Sequence, residues 1–587
     1  MRWIVALCLL TFIFLKAEAS MPIKLSPQAG RINPMLFGGF IELLDDLVPG
    51  MWAEMLNDRS FEGVTPRASW CSYDGAPNFC DREWVGGSFD TSNPFNGARS
   101  VRLAGSLTQS GLAVRKGMTY SFSGYFRGNA QAVVILKTPL PDGKWMELAS
   151  ANLPQPSSQW KKYSAKLIAN GTSDRAVFEL RAVGKGDLWL DKLSLMPSDN
   201  VKGWRKDVVQ AIKEAHPGII RWGGSVCDPG GYRWKNGIGD RDLRVPFPNA
   251  VWGRIDSNDV GIDEFCQFCE LVGAQPLICI SFSDGPQSAA DLVQYCNAGA
   301  DNEWGSKRAA NGHPKPYNVR HWQLGNELGN ADYVSALPEF CKAMKQADPK
   351  AILMASFPSQ TMIDKVGKEL DYICPHHYTP DFAACEADFK RLSDMIRGTH
   401  LKIAVTEWNS TAGDWGLGRG KLMTLGGALL NARYLHLLMH HSDIVDIACR
   451  SNMTNSLCSG MIGTSPAGLL KRPSYYVMKL YANHAKPIPI GIENAPEGVD
   501  VFASRSEAGK SLCIFAVNMA TNPVELDLGE CHPIGGERVC DTLDQRQADV
   551  MNHWDAPDRV RTMEFQVSGN TVTLPALSVS AIECGGE

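Results

Sequence analysis

Eight short apolar runs recur along this chain with helical patterns between most of them, and that alternation limits the fold more than any other feature. The runs are LFGGFIE (36–42), IIRWGG (219–224), PLICISF (276–282), VRHWQLGNE (319–327), AILMASF (351–357), YICPHHY (372–378), KIAVTEW (402–408) and DIVDIACRSNM (443–453). Between them, 259–273, 288–299, 332–347, 381–397 and 421–441 carry apolar residues at three- and four-residue spacing, the period of an amphipathic helix. Strand and helix in alternation build a parallel sheet, and eight repeats predict a closed (β/α)8 TIM barrel in an α/β protein. Such a barrel carries its site at the C-terminal ends of its strands.

The gap between the first and second runs reads differently. Residues 66–198 alternate with period two, as in MTYSFSGYFRG and RAVFELRAV, with Gly, Pro and Asn between the runs. This pattern predicts a β-sandwich inserted into the barrel. After 481 short strands return, so a second β-sandwich is expected at 481–587, joined by a leading strand near Ile23–Leu25. The expected divisions are 1–19, 20–65, 66–198, 199–480 and 481–587.

The opening MRWIVALCLLTFIFLKAEAS has a basic residue, an apolar stretch and a small-x-small site at Ala17-Glu18-Ala19, which reads as a signal peptide cleaved after Ala19 and predicts a secreted chain. The apolar stretch is too short for a membrane span, and no later segment supplies one. A net charge of −5 without a basic block argues against nucleic acid as a partner. Of the 17 cysteines, 16 follow the cleavage site; an exported chain can hold disulfides, and Cys71/Cys80, Cys449/Cys458 and Cys531/Cys540 are close pairs. Cys266 and Cys269 have metal-ligand spacing but lie inside a helical pattern without a second such pair, and read as helix packing.

The fourth and seventh apolar runs each carry a carboxylate at or next to their end. Glu327 closes the fourth and Glu407 falls at the end of the seventh, with Asn326 before the first and Trp408 and Asn409 after the second. Two carboxyl groups roughly 5–5.5 Å apart can cleave a glycosidic bond with retention, one protonating the leaving oxygen while the other attacks. The charge on the nucleophile is expected to raise the pKa of the acid.

The motif GNE after strand four with TEWN after strand seven resembles glycoside hydrolase family 51, the retaining α-L-arabinofuranosidases. LFGGFIE, IIRWGGS, YRWKNGIG, VWGRIDSNDVGIDEF and HHY follow in the family's order. The resemblance covers about 20–65 and 199–587, and the inserted sandwich is similar to the carbohydrate-binding-like modules of some members. It implies Glu327 as acid/base and Glu407 as nucleophile, with Glu42, Arg221, Ser225, Trp252, Asn326, His377, Tyr378 and Asn452 around the sugar. It also implies an exo-acting enzyme trimming arabinose from plant polysaccharides or oligosaccharides such as arabinoxylan and arabinan, with no cofactor and no metal. The chain departs from the family at Gly223 and Ser225 in the second-strand motif, and at Asn452 where a glutamine is usual. The same pair of carboxylates would serve an endo-β-glucanase or xylanase; a non-catalytic polysaccharide-binding protein would need neither.

Among the histidines, His376 and His377 could ligate a metal, and His436 and His440 lie one turn apart on a helix. Without an HExxH pattern the latter pair reads as helix surface, and His376 or His377 as an orienting group at the rim of strand six. Sequons at Asn170, Asn409 and Asn452 complete the inventory, two of them inside the expected site.

Overall fold

The structure is a computed structural model describing residues 21–44, 46–63, 83–411, 417–456 and 458–585. The expected leader and the pair Cys71/Cys80 lie outside the described residues.

All eight apolar runs form strands of one closed parallel sheet: β1 (Gly38–Ile41), β2 (Ile219–Trp222), β3 (Gln275–Ile280), β4 (His321–Leu324), β5 (Ile352–Ser356), β6 (Tyr372–Cys374 and His376–Tyr378), β7 (Lys402–Asn409) and β8 (Val445–Arg450). Each pairs with its neighbours in order, and β1 closes the ring by pairing with both β2 and β8. The expected helices appear at Ile262–Val272, Gly285–Asn297, Ala331–Ala347, Phe382–Ile396 and Leu425–His440. Side chains facing the barrel axis, among them Phe40, Ile219, Leu277, Met354, Cys374, Ala404 and Ile447, form one buried cluster. Their strand neighbours Ile220, Ile278, Trp322, Leu353 and Ile403 join the larger core under the helices. That alternation decides which residues can reach a site at the barrel mouth.

Strand β7 breaks the alternation. Val405 pairs with Ala448 and Trp408 with Arg450, so three steps on β7 face two on β8. This is a β-bulge, and it re-aims the strand end. Thr406 and Glu407, which plain pleating would send to opposite faces, both turn toward the barrel axis, while Trp408 goes outward to pack, tilted, against Tyr434.

Between β1 and β2 lie a four-stranded sheet (Ser106–Val114, Ser173–Val183, Gln131–Pro139, Trp145–Asn152) and a five-stranded sheet (Ser88–Asp90, Ser100–Arg102, Leu188–Pro197, Thr119–Gly128, Lys161–Ile168). They share a core that includes Phe122, Phe126, Phe178 and Leu190. Past the barrel, a seven-stranded sheet has Lys24–Pro27 at one edge, paired antiparallel with Ile488–Glu493. No described helix is long and apolar enough to cross a membrane.

The expected cysteine pairs and the surface reading of His436 are corrected, while the packing reading of Cys266 and Cys269 holds. Neither Cys449/Cys458 nor Cys531/Cys540 is joined as a disulfide. Cys449 faces the barrel axis while Cys458 packs beside Met423 in a separate cluster, and the extended strand His532–Asp541 holds Cys531 and Cys540 roughly 30 Å apart. His436 is buried rather than on a helix surface, taking Asp500 on Nδ1 at 2.8 Å and the Tyr481 hydroxyl on Nε2 at 2.7 Å. Cys266 and Cys269 are buried on the helix Ile262–Val272, where they pack in the core.

Candidate active site

Arg221 is the centre of the barrel mouth. It points inward from β2 with the parity of Ile219, and its cation lies 4.7 Å above the Phe40 ring. A fully buried guanidinium needs a partner for each donor direction. Nε donates to Gln323 Oε1 at 2.7 Å, Nη1 to Glu407 Oε1 at 2.8 Å, and Nη2 to Asn326 Oδ1 at 2.7 Å. Gln323 and Asn326 come from β4 and the turn after it, Glu407 from the bulged end of β7.

The other Glu407 oxygen accepts the Tyr378 hydroxyl at 2.7 Å, so both oxygens of this buried carboxylate are fixed. Glu327 stands at the end of the turn Gly325-Asn326-Glu327. Gly325 has φ +72°, and a Cβ there would meet Leu328 Cδ1 at 2.7 Å; Glu327 itself takes φ +51°. A non-glycine residue in the left-handed region at a site is stored strain. His376 Nδ1 lies 2.9 Å from Glu327 Oε1 and 3.8 Å from Glu407 Oε2, and its Nε2 lies 3.1 Å from Thr406 Oγ1. One oxygen of each carboxylate and a nitrogen of His376 all fall within 4.8 Å of one another.

This trio could hold a divalent ion, but Arg221 already neutralises Glu407, and each carboxylate oxygen named above has a hydrogen-bonding partner. The arrangement instead leaves two carboxyl groups at a spacing near that of retaining glycosidases and short of the 6.5–9.5 Å typical of inverting ones. The expected rise in the acid's pKa is not found. Glu327 is held below the usual carboxylate range, first by the hydrogen bond from His376 and then by the positive charges of His376 and Arg221, against the opposing effect of burial. The raised carboxyl is Glu42, pushed up to about 8 by burial and by the charge on Glu407. Glu42 Oε1 accepts the Val226 N–H at 2.9 Å and the Trp252 indole N–H at 3.2 Å. Gly224, at φ +101°, lets the loop pass so close that a Cβ there would lie 2.8 Å from the Glu42 carboxyl carbon.

Ser225 Oγ accepts from Asn326 Nδ2 at 3.2 Å. Arg221, Ser225, Asn326, Tyr378 and Glu407 thus form one hydrogen-bonded network, Glu327 joins it through His376, and Glu42 with its partner Trp252 lies near enough to feel the charge on Glu407, but two expected residues are not among them. His377 points outward between helices, to the Tyr434 hydroxyl at 2.6 Å and Asp388 at 3.1 Å, because it has the opposite parity to Tyr378. The histidine at the site is His376. Asn452 is buried behind the loop after β8, where its amide donates to Ser456 and Ser459 and accepts from Ser451. Asn409 is also buried, so two of the three sequons are closed to a glycan, while Asn170 is exposed. Sequence reasoning missed Gln323 and Thr406. Gln323 shares its inward parity with His321, which marks it as a polar residue in the barrel interior.

Residues 211–397 match the alpha-L-arabinofuranosidase 1 domain and residues 406–578 the alpha-L-arabinofuranosidase C-terminal domain. The chain belongs to the α-L-arabinofuranosidases of glycoside hydrolase family 51. A probable alpha-L-arabinofuranosidase C of Aspergillus clavatus is 26% identical over 347 residues, 49% of this chain and 67% of its own length. The extracellular exo-alpha-L-arabinofuranosidase of Streptomyces chartreusis is 28% identical over 401 residues, 60% of this chain and 46% of its own. Among solved structures, the Thermotoga maritima alpha-L-arabinofuranosidase in complex with arabinose is 26% identical with a TM-score of 0.59, covering 65% of this chain and 90% of that one. The arabinose-bound MgGH51 α-L-arabinofuranosidase, at 19% identity, shares the fold over 97% of this chain and all of its own, with a TM-score of 0.79.

Proposed function

We propose that this family member is a retaining, exo-acting α-L-arabinofuranosidase in which Glu407 is the nucleophile and Glu327 the general acid/base. One observation carries the assignment of roles. The two carboxylates approach within 4.8 Å, yet Glu407 is buried with both oxygens fixed by Arg221 and Tyr378, while Glu327 opens to solvent beside His376. A nucleophile must be ionised and aimed, and cation and phenol do both. An acid must exchange protons with water between steps, which the exposed position allows. Glu42, Arg221, Ser225, Trp252, Asn326 and Tyr378 would enclose the sugar; as a neutral acid, Glu42 can donate a hydrogen bond to a hydroxyl.

The substrate would be a terminal arabinofuranosyl unit on a plant polysaccharide or oligosaccharide. Residues 1–19 and the relative named extracellular support secretion. We read 66–198 as a carbohydrate-binding-like unit inserted into the barrel of 199–480, with 20–65 contributing its first strand and 481–587 a separate β domain. Aryl α-L-arabinofuranoside, aryl β-glucoside and aryl β-xyloside compared side by side test the activity, and proton spectra of the first product formed test the stereochemistry. Arabinose released first as its α-anomer is the expected result. Release of the β-anomer, or turnover of the glucoside or xyloside alone, would refute the proposal.

A further inference from the structure

The catalytic carboxyl groups are unevenly buried. The Glu407 side chain is 9% exposed with a fully enclosed Arg221 behind it, whereas that of Glu327 is 41% exposed. In a double displacement the retained sugar sits on the nucleophile and the leaving group departs past the acid. The part of the substrate that departs therefore emerges on the open side of Glu327, and a large apolar ring stands there. Phe357, directly after β5, is 42% exposed. Its ring meets the His376 imidazole edge-on, centroids 5.9 Å apart, and His376 is the group bonded to Glu327.

The ring and the acid are fastened to one frame. Ser356 Oγ donates to the Leu328 carbonyl and accepts the Leu328 N–H, both at 3.1 Å, which ties the residue after Glu327 to the residue before Phe357. The Phe357 N–H in turn donates to the Cys374 carbonyl on β6 at 3.2 Å. A Cβ on Gly329 would lie 3.2 Å from Phe357 Cβ, so the acid's turn passes close beside it. Phe357 also has φ +45°, a conformation that glycine adopts freely and a bulky residue adopts at a cost. An exposed aromatic ring on a strained backbone beside a catalytic acid gains little from packing, and such outliers persist where the ring is used.

We propose that Phe357 is the stacking platform for the leaving-group sugar, a neutral ring joined to the arabinofuranosyl unit through the scissile oxygen. The proposal rests on the arabinofuranosidase reading. An aromatic face offers apolar area to the C–H face of a sugar at little entropic cost, and its contribution scales with the size of the leaving group.

The test uses the full chain with F357A, F357G and F357W. Two substrates are compared: an arabinosylated xylo-oligosaccharide, and methyl α-L-arabinofuranoside, whose leaving group is too small to reach the ring. Aryl leaving groups are avoided because they would stack as well. F357A and F357G should lose about tenfold in kcat/KM on the oligosaccharide. On the methyl glycoside they should stay within twofold of wild type, as should inhibition by free arabinose. F357W should keep most activity on both, and F357G should unfold no earlier than wild type, since glycine accepts φ +45°. Equal losses on both substrates would overturn the platform by making the role structural, and an unchanged oligosaccharide rate would overturn it outright. A wild-type chain that releases arabinose from neither substrate removes the arabinofuranosidase reading, and the platform with it.

Discussion

Arg221 and Glu407 form a buried ion pair, Nη1 to Oε1 at 2.8 Å, and the same guanidinium also fixes Asn326 and Gln323 through its other two edges. Lysine at 221 would keep the charge and lose the fork. Arg221→Lys should therefore lower kcat/KM on an arabinofuranoside by roughly thirtyfold to a thousandfold, about 2–4 kcal/mol of transition-state stabilisation. Steady-state kinetics on protein with a native circular-dichroism spectrum measure it. Wild-type kinetics in that variant would show that the fork does not serve the reaction.

The roles of the two glutamates separate by rescue. Glu327→Ala keeps the nucleophile, so a substrate with a good leaving group should still form the glycosyl enzyme and then stall without a base. Added azide should restore turnover and give a glycosyl azide of the substrate's own anomeric configuration. Glu407→Ala should fail on every substrate while remaining folded. Near-normal hydrolysis by Glu407→Ala, or an inverted azide product from Glu327→Ala, would transfer the nucleophile's role elsewhere.

The depressed pKa of Glu327 predicts a pH effect on rate. In the proposed role this carboxyl must be protonated for the first step, and the hydrogen bond from His376 favours its ionised form. Activity on a poor leaving group should fall as pH rises through that lowered value. Replacing His376 with alanine removes the leading cause of the depression, so the alkaline limb of kcat/KM should move to higher pH. An unmoved limb would mean that another group sets it.

Glu42 predicts a pH effect on stability of definite sign. Its carboxyl is near 4.5 in the unfolded chain and about 8 in the fold, so between those values the native state holds a proton that the unfolded state has lost. Its contribution is complete below about pH 4.5 and is lost as pH climbs toward 8. The unfolding midpoint should decline over that interval, and Glu42→Gln, neutral throughout, should flatten the decline. Identical slopes in the two proteins would exclude Glu42 as its source.

Gly224→Ala should be damaging out of proportion to one methyl group. The backbone φ of +101° penalises any L-residue, and the new Cβ would press on the Glu42 carboxyl carbon at 2.8 Å. A loss of at least tenfold in kcat/KM together with a lower unfolding midpoint is expected; a variant with unchanged kinetics would mean the loop yields without moving Glu42.

The barrel was legible because its strands and helices follow two simple periods, and LFGGFIE could be placed as β1 although a long insertion separates it from β2. The site was legible where parity holds. Glu42 and Arg221 share their faces with Phe40 and Ile219, and counting by two from Tyr378 selects His376 over His377. It was not legible at β7, where plain alternation from Ala404 sends Glu407 away from the axis and only the bulge returns it. Asn452 illustrates a different limit, since its amide is consumed by three serines of its own loop, whose irregular path follows neither the strand nor the helix period.

The pairing of β1 with β8 also fixes the order in which function can arise. Gly38 and Gly39 wait for Cys449 and Arg450, more than four hundred positions downstream, and Glu42 stands at the end of that first strand. A nascent chain can complete the inserted sheets well before it can close the ring. Contacts of such long range make ring closure the slow event in folding. The chain therefore passes through its synthesis without a closed barrel mouth, and any break before β8 leaves Glu42 at the end of a strand with one neighbour missing.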